Sequence, residues 1–158
     1  KGMPVVRNPQ YYFRPGLCWS DINTTYIKSR LKLASVHDVK SMSLFSVSSQ
    51  ITEKYIVCIL NSKFMSEFID SFLNNTQTFQ INDARRIPII VPSNVLLKEF
   101  EELFDRAYAI KKQQFSDEIS LDTSVIKLNK IQEELDKKVY VLYELNEEDI
   151  EIIENSTQ

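Results

Sequence analysis

The chain has 158 residues, 43% of them apolar, with 19 Lys and Arg against 22 Asp and Glu for a net charge of −3. That is one domain of ordinary globular composition, which excludes a wholly disordered or fibrous chain. Two Gly and no Gly-rich loop exclude phosphate-loop and dinucleotide-fingerprint chemistry, and no run approaches the ~18 apolar residues of a membrane-spanning helix.

Charge is divided along the chain. Residues 1–92 carry eleven basic and six acidic groups, a net of +5, and residues 93–158 carry eight and sixteen, a net of −8. A basic surface is the electrostatic footprint of a polyanion partner, although a Glu-rich helical tail leaves the rest basic by subtraction. Residues 1–10 read as a linker from an upstream domain. Lys1-Gly2-Met3-Pro4 lacks the apolar core of a signal peptide, and the chain does not begin with Met. Residues 11–113 read as an α+β domain, and 114–158 as a helical extension packed on it.

Segment 11–20 is aromatic, with a turn expected at Pro15-Gly16. Tyr26 to Leu33 alternates, Tyr26, Lys28, Arg30 and Lys32 on one face and Ile27, Ser29, Leu31 and Leu33 on the other, which predicts a half-buried strand. A shorter strand is expected near 42–47. Tyr55 to Leu60 is apolar throughout, helix or buried strand by periodicity alone. Phe64, Met65, Phe68, Ile69, Phe72 and Leu73 define an amphipathic helix that Asn61-Ser62 caps or kinks and Asn74-Asn75 ends. Strands are predicted at 78–81 and 87–91, around a turn at Asn82-Asp83, with Pro88 confining the second to a sheet edge.

From Ser93 the pattern is helical. Ser93 is a cap for a stripe of Leu96, Leu97, Phe100, Leu103, Phe104, Ala107 and Ile110. A polar loop at 114–124 precedes a helix presenting Leu128, Ile131, Leu135 and Leu142, with Asp122, Thr123 and Ser124 as cap candidates. Asn146 then caps a short helix with Glu147, Glu148 and Asp149 in its first turn, where the helix dipole favours negative charge. The fold class is therefore α+β: a small mixed or antiparallel sheet, packed helices and a helical C-terminal tail.

Catalytic constellations are lacking. Asn8-Pro9-Gln10-Tyr11 has the N-P-x-Y spacing of amino-methylating enzymes, but only seven residues precede it where an apolar strand belongs, so it reads as a surface turn. His37, the one imidazole, is followed by Asp38 and lies near Ser35, but neighbours on a strand point to opposite faces. One His and two distant Cys make no zinc set. Cys18 and Cys58 lie in apolar settings and read as reduced core residues, as in a cytoplasmic protein. The most suggestive feature is the Tyr26/Lys28/Arg30/Lys32 face: cations two residues apart on a strand lie ~6–7 Å from one another, close to the phosphate spacing along one DNA strand.

Three segments occur in order: Leu60-Asn61-Ser62-Lys63; the passage from Phe79 through Ile87-Pro88-Ile89-Ile90-Val91-Pro92; and Val139-Tyr140-Val141-Leu142-Tyr143-Glu144-Leu145 followed by acids. With YYFRPGLCWS before them, they resemble the C-terminal target-recognition (TaqI-like specificity) domain of bacterial adenine-specific DNA methyltransferases and fused type II restriction-modification enzymes. The resemblance spans about 11–154. It implies double-stranded DNA as partner, and an upstream methyltransferase domain of the same protein that binds S-adenosylmethionine and does the chemistry. This fragment would be non-catalytic and cofactor-free, in a parent that methylates DNA, with or without an endonuclease activity of its own. The family's base-reading residues do not carry over by position. On physical grounds Arg14, Lys28, Arg30 and Lys32 are expected on phosphates, Arg85 or Arg86 at a groove, and Tyr26 or Trp19 in support. Leu60-Asn61-Ser62 is expected to be structural. The alternative is a protein-interaction module pairing through Leu128, Ile131 and Leu135.

Overall fold

The structure is a computed structural model, and it describes residues 6, 8–20, 22, 27–36, 40–74, 76 and 78–156. Its architecture is α+β. A three-stranded antiparallel sheet, β1 (Gly16–Ser20), β2 (Arg30–Lys32) and β3 (Ser41–Leu44), has the order β2-β1-β3. Six α-helices follow: α1 (Glu53–Leu60), α2 (Lys63–Phe68), α3 (Ile81–Ala84), α4 (Asn94–Phe115), α5 (Leu121–Leu142) and α6 (Glu147–Ser156). A widened π-type turn at Ile69–Leu73 prolongs α2.

β1 is the middle strand, and Leu17, Cys18 and Trp19 are all buried. The Trp19 indole N–H donates to the Phe79 carbonyl at 3.1 Å, and its ring meets Phe79 edge-on. Gly16 begins the strand instead of forming the expected turn. A Cβ there would lie 2.6 Å from the Leu44 carbonyl oxygen and 2.7 Å from the Phe45 ring, so the β1–β3 approach requires glycine. Gly16→Ala is expected to cost about 1–3 kcal/mol through overpacking, read as a lowered denaturant midpoint with an unchanged slope.

The ambiguous run 55–60 is a helix. All six residues are buried because α1 lies between the sheet and α4. Thr52 caps it, and Tyr55 packs edge-on against Phe100 at 5.2 Å. Ser62 caps α2, accepting from the Met65 N–H, so Asn61-Ser62 is a helix break and cap as expected. Ser93 caps α4, and Asn146 and Asp149 form a reciprocal cap on α6. Ser120 caps α5, a correction of the expected cap within 122–124. Leu97, Phe100 and Leu103 of α4 pack with Ile131, Leu135 and Val139 of α5 in the same core as Leu17 and Trp19.

The 78–92 strands are also corrected. Thr78 makes one isolated bridge to Ile22, residues 81–84 form a helical turn, and 87–93 run extended without pairing. Tyrosine hydroxyls take carbonyls that a neighbouring strand would have taken: Tyr143 donates to Pro88 O at 2.6 Å and Tyr55 to Ile90 O at 2.8 Å. Burial pushes both phenols upward, Tyr143 to about 12.

Candidate functional site

The predicted cationic face is only partly present. Residues 27–30 alternate as expected: Ile27 and Ser29 are buried, Lys28 and Arg30 exposed. The alternation then slips. Leu33 is 64% exposed and Lys32 only 5%. The Lys32 ammonium donates to the Arg14 carbonyl at 2.8 Å and to the Ser35 carbonyl at 2.9 Å, and lies 5.1 Å from the centre of the Phe45 ring. Lys32 ends β2 opposite Gly16, and the converging Arg14 and Ser35 carbonyls draw its long side chain back over Phe45 instead of into solvent. This corrects the placement of Lys32 on an exposed phosphate-facing row.

Trp19 is also corrected from a supporting surface residue to the core, 1% exposed. Tyr26 and His37 lie outside the described residues. Asn8-Pro9-Gln10-Tyr11 is an exposed 3-10 turn, as expected of a surface turn. Arg14 is exposed beside two stacked rings, its guanidinium carbon 5.8 Å from Tyr11 and 5.4 Å from Phe45. Arg85 and Arg86 are exposed just after α3, with Arg85 steadied by Asn82 at 3.2 Å. Their segment is anchored by the Asn74 amide, which donates to Thr78 O and Asp83 Oδ2, and by the Trp19–Phe79 hydrogen bond.

Lys54–Asp105, Lys63–Glu154, Arg106–Glu134 and Lys138–Glu99 all join helices to helices. Among the described residues, Arg14, Arg30, Arg85 and Arg86, on the sheet and its connections, make no ion pair.

Lys28 and Arg30 stand on the rim of an open groove of about 620 Å³ between β2, α1 and the α4–α5 pair. Lys111 of α4 joins them, and no carboxylate is among the described residues that line the groove. Its floor includes Leu103, Phe104, Ala107 and Leu128. A smaller cavity of about 240 Å³ has Glu53 and Glu101 in its wall together with Lys32 and Lys54, so its charges balance.

Sequence reasoning missed Asn61 as the residue that positions the rim. Its carbonyl oxygen accepts from the Ser29 N–H at 2.8 Å and hydroxyl at 3.0 Å, and its amide donates to Ser29 O at 2.9 Å. That clasp fixes the backbone between Lys28 and Arg30, and its signal was the Leu60-Asn61-Ser62-Lys63 segment. Lys111 was hidden among ordinary helix lysines. Cys58, at the groove wall, is buried and free, its thiol pushed up to about 12 by burial, so it is no nucleophile. Cys18 is also free and buried. Among the described residues no group of His, Cys, Asp and Glu could hold a metal ion, and no helix is long and apolar enough to cross a membrane.

No protein-family model matches the chain, and no curated protein is similar to it in sequence.

Proposed function

We propose that this chain is the DNA-specificity module of an adenine-N6 DNA methyltransferase or fused restriction-modification enzyme, gripping duplex DNA for a catalytic domain carried elsewhere in the protein. The observation that carries the reading is the pairing of the arginines. Arg106 of α4 is held by Glu134, whereas Arg14, Arg30, Arg85 and Arg86 make no ion pair among the described residues. Arginines without carboxylate mates are the groups that bind phosphate or read guanine edges.

The resemblance of the three ordered segments supplies the adenine-methylation context. Two of the segments touch: Tyr143 donates to the Pro88 carbonyl. S-adenosylmethionine belongs to the other domain in this reading. Gly16 is consumed by strand packing, and the described residues contain no glycine-rich loop to approach a cofactor. The free buried thiols suit the cytoplasm, where such an enzyme would work.

The test is duplex binding by the full chain at about 50 and 200 mM salt, where each phosphate contact contributes about 0.9 to the log–log slope. The Arg14→Glu, Arg85→Glu, Arg86→Glu triple variant is expected to bind at least about tenfold more weakly at low salt, with a shallower slope. All three side chains are exposed, so circular dichroism should stay unchanged. Equal affinity of the triple variant and the parent chain would reject the assignment.

A further inference from the structure

We propose that the groove between β2, α1 and the α4–α5 pair docks an acidic amphipathic helix from a partner protein domain. The inference does not depend on the DNA reading, whose test uses other residues.

Three properties of the wall define the occupant. The floor of Leu103, Phe104, Ala107 and Leu128 is apolar, and Tyr108 stacks on Phe104 at its edge while remaining 51% exposed. The rim carries the cations Arg30 and Lys111 beside Lys28, and no carboxylate is among its described residues. The polar groups between them are already engaged. Asn61 is committed to Ser29, the Gln132 amide donates to Asn61 O and to Asp136, and the Cys58 thiol faces Phe100 O at 3.5 Å.

The groove therefore offers hydrophobic area below and positive charge above, with no donor or acceptor aimed inward to read a base edge. A DNA backbone would satisfy the rim but has no apolar face for the floor. An acidic amphipathic helix satisfies both, the helix-in-groove mode of recognition. The dimensions agree. Leu103 to Phe115 spans twelve helical steps, about 18 Å, which accommodates about three turns of a partner helix. Phe115, 82% exposed, extends the apolar track at the far end.

The probe is a fluorescein-labelled 15-residue helical peptide with leucines at i, i+3, i+4 and i+7 and glutamates elsewhere. Its counterpart replaces every glutamate by lysine. Anisotropy titration of the full chain is expected to show at least about tenfold tighter binding of the acidic peptide. The Arg30→Glu, Lys111→Glu double variant should lose that preference. Ala107→Glu should abolish binding from the floor. Amide chemical shifts on titration should move at Ala107, Tyr108 and Leu128. Equal binding of the two peptides, indifference to both variants, or the same three amides shifting with duplex DNA instead would overturn the proposal.

Discussion

Replacing Lys32 by Glu is expected to destabilise the fold by about 3–5 kcal/mol, the range for an uncompensated buried charge. The residue is 5% exposed, and its ammonium joins the Arg14 carbonyl to the Ser35 carbonyl. A carboxylate there would face two acceptors with nothing to donate. Lys32→Met separates the contributions. It keeps a stem of similar length near Phe45 and leaves Ser35 O still accepting from the Phe13 N–H, but it removes the side-chain donor to Arg14 O. Its expected cost is smaller, about 1–3 kcal/mol for one unmatched carbonyl. Urea unfolding of both variants checks the order, and a Glu variant as stable as the parent would reject the buried role. The same placement makes Lys32 a poor site for charge reversal in DNA binding, because lost binding would then report lost structure.

The second large effect is expected at Asp136 of α5. Its carboxylate is 2% exposed and accepts the Lys63 N–H at 2.9 Å and the Gln132 amide at 3.1 Å. It thereby ties the start of α2 to α5, while Lys63 Nζ and the Tyr140 hydroxyl both reach Glu154 of α6. Asp136→Ala is expected to cost about 3 kcal/mol, since it strips the partner from a buried helix N–H and an amide. Burial holds the Asp136 carboxyl above its ordinary value of 3.8 despite the hydrogen bonds that oppose the rise. The group therefore contributes most stability below its unfolded pKa and loses that contribution as pH rises through the folded value. Asp136→Asn removes this dependence, so its penalty should shrink as pH rises from below 3.8 toward neutrality. Glu154 works in the opposite sense. Its Lys63 hydrogen bond lowers its pKa, and its contribution, present above 4.5, fades as pH falls. Unfolding of the parent and the Asn variant across pH 3 to 7 reads both signs, and a penalty that grows with pH would contradict the assignment.

Much of this fold was legible one residue at a time. Ser62, Ser93 and Asn146 announced their helices because a cap is a local event, one side-chain oxygen meeting an N–H two or three residues on. The α4 stripe was legible because one face of a long helix is buried along its core-facing part. The 78–92 segment was not. Ile87 to Val91 has strand composition, but whether an extended run pairs depends on what reaches its carbonyls, and here tyrosines arrive from 35 and 55 residues away.

The candidate site divides in the same way. Composition and spacing by themselves determined an α+β chain with capped helices and a basic first part, in which the structure exposes Arg14, Lys28, Arg30, Arg85 and Arg86. Tertiary structure alone decided that Lys32 turns inward, that Asn61 clasps Ser29, and that Lys111 meets Lys28 and Arg30 over an apolar floor. Helical and strand periods report which face of an element is apolar. They do not report which distant carbonyl, amide or cation will stand opposite it, because that is set by long-range packing.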